Sequence, residues 1–258
     1  MNNSIQNFIK IEESRTLLSK KKDFKRLYSS YSLENDFLEN KNSCELWNEL
    51  NSKKYNLKKV NPMAYYRNKY VSNNIPNKQI NILDIGFGQG YLEKMLNKRK
   101  NRLCLYGIDI SDKSVNSISK KYFNWNFFIG EISNLHFKDN YFEYVVALEV
   151  LEHISPSKLF LSLSEIKRVL KKNGIIIISV PLNEGLEIML ENGQNPNAHT
   201  RIYDPSLIKA ELMIGGFELI KTKYLFAFHN FFKLKSFFVK LFYKKIKPNN
   251  IILIARKK

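Results

Sequence analysis

The stretch from Asp84 to Gly90, Asp-Ile-Gly-Phe-Gly-Gln-Gly, constrains this chain more than any other. Ahead of it, Ile80, Ile82, Leu83 and Ile85 form a short apolar run of the kind a parallel sheet buries on both faces. Gly86, Gly88 and Gly90 then alternate, where side chains would block a positive-φ turn or the close approach of a ligand to the backbone. Leu92, Met95 and Leu96 follow at helical spacing, so a helix should start here with its free N–H groups facing back toward the turn. A strand, glycine turn and helix in this order make a ligand cradle. The spacing excludes two common ligands. A dinucleotide fingerprint needs a glycine where Tyr91 stands, and a phosphate-binding P-loop needs a Gly-Lys-Ser/Thr that does not follow. Asp84 at the end of the strand would repel a pyrophosphate and suits a ligand carrying an ammonium group.

The Asp84 to Gly90 pattern resembles motif I of the class I S-adenosylmethionine-dependent methyltransferases. The cofactor of that family has an amino-acid end, a sulfonium and no phosphate. The resemblance implies an α/β, Rossmann-like, doubly wound and mainly parallel seven-stranded sheet with an antiparallel last strand. It runs over roughly residues 79 to 220, because later segments occur in the family's order. Among cofactor contacts it includes Asp84, Gly86, Phe87, Gly88 and Gly90.

Short apolar runs alternate with helical stretches from Gln79 onward, which independently argues for a parallel sheet covered on both faces. Leu103–Ile110 reads as the second strand, ending in Asp109 about 20 residues past the turn, where Rossmann-like geometry puts a carboxylate beside ribose hydroxyls. Asp109 and Ile110 are therefore expected at the cofactor. The alternative is that Asp109, with Ser111 and Asp112, only caps the next helix. A third strand, Trp125–Ile129, runs into Gly130, Glu131 and Ile132, which match the family's adenine-binding tip. The fourth, Tyr141–Leu148, leads into Glu149-Val-Leu-Glu-His-Ile154, so Glu149, Glu152 and His153 should face the site beyond the strand ends. Ser155-Pro156 starts a helix expected to stop near Lys171–Gly174, before a fifth strand at Ile175–Val180.

Methyl transfer is an in-line displacement in which the protein positions the acceptor and often supplies a base. The chain has 4 histidines, and His153 and His199 are the base candidates because imidazole titrates near neutral pH. Glu149, Glu152, His153 and His199 also resemble the metal site of small-RNA 2′-O-methyltransferases and of ubiquinone-pathway O-methyltransferases. In that reading one Mg²⁺ or Mn²⁺ binds adjacent substrate hydroxyls and lowers the pKa of the attacking one. In the other, His153 faces the substrate with no metal. The stretch His199–Asp204 resembles methyltransferases acting on small metabolites, sugars and lipid-linked precursors. Arg201 could fork onto a substrate carboxylate or phosphate, or pair with Asp204.

Residues 1–75 read as a helical N-terminal extension or cap, and 76–258 as the cofactor-binding domain, with an amphipathic insert over 225–248. As a helix, the insert puts Lys233, Lys240, Lys244 and Lys247 on one stripe. Phe231, Leu234, Phe238, Leu241 and Phe242 fall opposite, and Lys235 and Lys245 interrupt the apolar face. Such a segment suits an anionic membrane interface or a lipid-bearing substrate, or else packs over the cleft. The net charge of +18, from 42 Lys+Arg against 24 Asp+Glu, favours an anionic partner, although Lys, Asn and Ile are abundant throughout. Cys44 and Cys104 have no ligand or redox spacing, and no signal-type apolar segment follows Met1, so a cytoplasmic setting is expected, with contact at the inner face of the membrane left open.

Three functions follow. The first is O-methyl transfer to a small metabolite, glycan or lipid-linked intermediate. The second is metal-assisted 2′-O-methylation of RNA, without a recognisable RNA-binding appendage. The third is a non-catalytic relative that binds the cofactor or a partner. The fourth strand is followed by neither Asn/Asp-Pro-Pro-Tyr nor a cysteine, which disfavours amino and ring-carbon methylation of bases.

Overall fold

The computed structural model describes residues 42–52, 61–99, 101–183, 185, 198–242 and 246–258. Much of the expected helical extension, residues 1–41 and 53–60, and Lys244 and Lys245 of the expected insert therefore lie outside the described residues. Seven strands form one sheet: β1 (Ile80–Ile85), β2 (Leu103–Asp109), β3 (Asn126–Ile129), β4 (Phe142–Leu148), β5 (Leu170–Pro181), β6 (Phe217–Leu225) and β7 (Asn250–Lys257). Their order is β3-β2-β1-β4-β5-β7-β6. The pairs along β3-β2-β1-β4-β5 are parallel, and β7 runs antiparallel between β5 and β6. This is the doubly wound arrangement expected from the sequence.

Side chains alternate across the sheet, as a two-residue period requires. Leu83, Ile85, Val145, Ile176 and Ile178 enter one core with Leu159 and Leu163 of helix α5 (Pro156–Val169) and Leu212 of α6 (Pro205–Ile214). Ile80, Ile82, Val146, Ile177 and Ile254 enter the other. There they meet Val71 and Ile75, at the end of α2 (Pro62–Asn74), with Leu92 of α3 (Tyr91–Leu96) and Val115 of α4 (Asp112–Lys121). Arg99 ties α2 down by donating to the carbonyls of Ile75 and Ser72 at 2.7 and 2.8 Å. A short α1 (Cys44–Leu50) precedes α2, and α7 (Phe232–Phe242) lies between β6 and β7.

Local chemistry sets the helix starts. Ser43, Asn61 and Ser111 each accept from the third N–H of their helix, at 3.3, 3.0 and 3.1 Å. Asp204 caps α6 through the N–H groups of Ser206 and Leu207, which removes it as the partner of Arg201. One boundary differs from expectation. Helix α5 stops at Val169, and Leu170 is already extended and paired with Phe142, so Lys171–Gly174 belong to β5. Asn173 takes the positive φ of 61° there, and the strand register shifts between Phe142 and Tyr144, so a bulge absorbs the segment that reads as a helix stop.

Candidate active site

At the carboxyl ends of β1, β2 and β3, backbone hydrogen bonds hold three chain tips together. Gly86 N–H donates to the carbonyl of Ile108 at 2.8 Å, and Gly130 N–H to that of Asp109 at 3.1 Å. The Asp109 carboxylate accepts from Gly88 N–H and Ser111 N–H, both at 2.8 Å. Each carboxylate oxygen has two acceptor sites, so Asp109 keeps capacity for a ligand's hydroxyls. Burial pushes this carboxyl above the ordinary aspartate range, and the two backbone donors oppose that shift. Gly86 and Gly88 have φ of 69° and 52°, and a Cβ on Gly86 would stand 2.7 Å from Val150 Cγ2. A cavity of about 300 Å³ opens here, with Gly86, Gly88, Asp109, Ile110 and Gly130–Ile132 in its wall.

The same cavity continues to the end of β4. Glu149, at φ 57°, lines it and is held by Arg67 of α2 at 2.8 Å, by Ser179 Oγ at 2.8 Å and by Asn250 Nδ2 at 2.9 Å. The next turn brings Glu152, His153 and His199 together, with their ligand-capable atoms within 4.8 Å of one another. Thr200 N–H donates to the Glu152 carbonyl at 2.8 Å, which fixes the His199 segment against this turn. His153 packs edge-on against Trp47 of α1 at 4.7 Å and against His199 at 4.8 Å. Asn42 Nδ2 clamps both segments, donating to the carbonyls of His153 and Ala198. Burial, and then the neighbouring His199, push the His153 imidazole down to about 3, against the opposing hydrogen bond to the Ala198 carbonyl. His153 is thus neutral at physiological pH and presents a lone pair, which is what a metal or an acceptor proton would meet.

Of the residues singled out from sequence, Gly86, Gly88, Asp109, Ile110, Gly130, Glu131, Ile132, Glu149 and His153 line this cavity. Several others do not. Asp84 is 3% exposed and is not part of the cavity wall, and burial, then the neighbouring Glu93, raise its carboxyl well above the usual range. Phe87 packs edge-on against Phe127 at 5.1 Å in the core. Gly90 serves the fold: it has φ 68°, and a Cβ there would stand 2.6 Å from Ile118 Cδ1. Arg201 is 3% exposed, ion-paired with the buried Glu211 of α6 and set over the Tyr203 ring at 4.8 Å, so it is a core residue and no substrate fork. Glu149 is engaged by Arg67, Ser179 and Asn250 and lies outside the Glu152, His153 and His199 group. The His153 environment also overturns the expectation of near-neutral titration.

Sequence reasoning missed Asn42, Trp47, Asn51 and Lys158, which line the cavity, and Arg67, which holds Glu149. All but Lys158 come from the N-terminal extension, where no local spacing signals them.

Residues 83–178 match the family model described as a methyltransferase domain. An uncharacterised protein of Methanocaldococcus jannaschii is 29% identical over 160 residues, 61% of this chain and 63% of that one. YrhH of Bacillus subtilis, named as a methyltransferase, is 34% identical over 108 residues, 40% of this chain and 59% of its own. The demethylmenaquinone methyltransferase of Thermotoga maritima is 28% identical over 97 residues, 38% and 42% of the two chains. This chain therefore spans less than two thirds of each of these relatives. Among solved structures, a SAM-dependent methyltransferase of Archaeoglobus fulgidus superposes with TM-score 0.59 at 18% identity, over 76% of this chain and 94% of that one. The [4+2]-cyclase SpnF superposes with TM-score 0.57 at 20% identity, over 75% and 80%. With the strand order and the glycine turn described above, these matches make the sheet domain similar to S-adenosylmethionine-dependent methyltransferases, with residues 83–178 matching a methyltransferase domain.

Proposed function

We propose that this chain transfers the methyl group of S-adenosylmethionine to an oxygen of a small metabolite, glycan or lipid-linked intermediate. One observation carries the reading: the Asp109 carboxylate, the side-chain-free backbone of Gly86 and Gly88, and the tip Gly130–Ile132 share a single cavity with Glu149 and His153. The residues fit the cofactor. Asp109 suits vicinal ribose hydroxyls, Glu131 suits an adenine amino group, and Ile110 and Ile132 give apolar walls for the ring. When bound, S-adenosylmethionine supplies an electrophilic methyl group on a sulfonium.

The acceptor belongs at the other end, between Trp47, His153 and Lys158. Trp47 offers an apolar wall there, and Lys158 suits an acceptor with a carboxylate or phosphate. Neutral His153 can take a hydrogen bond from the acceptor hydroxyl and orient its lone pair. In the alternative arrangement His153 gives that lone pair to a metal instead: Glu152, His153 and His199 would hold one divalent cation, which supplies the positive charge that lowers the pKa of a hydroxyl. Two imidazoles and one carboxylate favour Mn²⁺ over Mg²⁺, which prefers oxygen ligands.

Labelled methyl transfer to lipid extract, sugar nucleotides and RNA in parallel tests the proposal. Label entering a base-stable small acceptor, lost on chelation and restored by Mn²⁺, supports it. Label entering RNA would favour the second reading, to which the net charge of +18 lends support. Cofactor uptake by calorimetry with no transfer to any fraction would favour a cofactor-binding relative without activity.

A further inference from the structure

Helix α7 has two apolar faces, and among the described residues one is buried and the other exposed. Phe232 and Val239 are buried, with Phe232 stacked on Tyr66 of α2 at 4.4 Å. Leu234, Phe237 and Phe238 are spaced i, i+3, i+4 and form a single stripe on the opposite side. They are 55%, 58% and 44% exposed, and Phe231 at the head of the helix is 75% exposed. Lys233 and Lys235 flank this stripe on its two sides by helical geometry. The surroundings are basic as well. Lys221 and Lys223 lie over Tyr70 of α2, and Lys233 over Tyr66, so cations rim the seam between the two helices. From residue 219 to 258 the chain contains no aspartate or glutamate.

We propose that this outer face of α7 seats the protein in the interface of a bilayer carrying anionic lipids. Exposed aromatic rings bordered by lysines are what an interfacial helix requires: the rings enter the headgroup and acyl boundary while the ammonium groups reach lipid phosphates. The uniform sign of the charge is the reason to choose a membrane over a second copy of this chain, since two copies would bring like charges together. The face also has a defined relation to the candidate active site. The insert leaves β6 at Leu225 and returns at Asn250, which pairs with Pro181 at the carboxyl end of β5, the sheet edge where the cavity opens. Phe232 stacks on Tyr66, and the next residue, Arg67, holds Glu149 in the cavity wall. Docking by α7 therefore brings the cavity's edge of the sheet toward the lipid surface. No described helix is long and apolar enough to cross a membrane, so the contact is peripheral.

Sedimentation of the full chain with vesicles of phosphatidylcholine alone, or of phosphatidylcholine with phosphatidylglycerol, tests this without cofactor or acceptor. Its failure thus leaves the methyl-transfer reading untouched. Binding to the anionic vesicles is expected, weakening as salt rises. The combined variant Leu234→Ser, Phe237→Ser should bind them at least about tenfold more weakly with unchanged thermal stability, because both side chains are more than half exposed. Lys233→Glu with Lys235→Glu should also lose about tenfold, and only on anionic vesicles. Equal binding to both vesicle types, no binding to either, or a dimer that the serine variant dissolves would overturn the proposal.

Discussion

The two ends of the cavity are built differently. Its β1–β3 end consists of chain tips that follow directly from their strands: the turn Gly86–Gly90, Asp109 and Gly130–Ile132, tied by backbone hydrogen bonds. Its β4 end is assembled from five distant places: Asn42 and Trp47 near α1, Arg67 in α2, the Glu149–His153 turn, His199, and Asn250 at the start of β7. The first end is a local device that any chain with this turn would carry. The second depends on the rest of the fold being in place.

Substitutions can break or sharpen this contrast. The largest effect on stability should come from Arg201→Ala, which leaves Glu211 charged at 0% exposure and should cost about 3 to 5 kcal/mol. Thermal or denaturant unfolding measures it, and a stable variant with only a raised acceptor KM would restore Arg201 to the substrate. Asp109→Ala should weaken cofactor binding by about 100-fold in calorimetry, from the loss of two charge-assisted hydrogen bonds to hydroxyls. At the other end, His153→Ala should cut turnover by about 100-fold while leaving cofactor affinity unchanged. Equal losses of binding in both variants would dissolve the distinction between the two ends.

Arg67→Ala should have a smaller effect. Its ion pair with Glu149 is 12% and 24% exposed on the two side chains, so its loss should cost about 1 to 2 kcal/mol and raise the acceptor KM. The smallest effect concerns the carboxyls behind the glycine turn. Burial raises Glu93 from 4.5 to about 7, so between those values the folded protein keeps a proton that the unfolded chain has released. The stability from this group is present at pH 4.5 and is lost as pH rises through 7. Glu93→Gln should therefore raise the unfolding temperature at pH 8 more than at pH 5, because the amide carries no buried charge at either pH. A pH-independent change would remove that assignment.

How much could be read in advance tracks the same division. The strands β1, β2 and β4 are legible because they are buried on both faces and leave continuous apolar runs. Gly86, Gly88, Asp109 and Gly130 are legible because a strand, its turn and the ligand contact are adjacent in sequence. The burial of Asp84 was not legible for a related reason: its neighbour Glu93 lies nine residues on, and the spacing of the strand end does not signal that contact. The stop of α5 misled because Lys171–Gly174 has the composition of a helix end, whereas pairing of Leu170 with Phe142 starts β5 earlier.

By itself the sequence determined the alternation of strands with helices and the glycine cradle, since both depend on periodicity and on residues that are neighbours in the chain; the seven-stranded order was what the family resemblance implied. Only the tertiary structure decided that Arg201 is a core ion pair, that Glu149 answers to Arg67 and Asn250, that Trp47 packs on His153, and which face of α7 is exposed among the described residues. Those outcomes depend on which distant side chains the folded chain brings within hydrogen-bonding or van der Waals reach. Spacing along the chain carries no record of that.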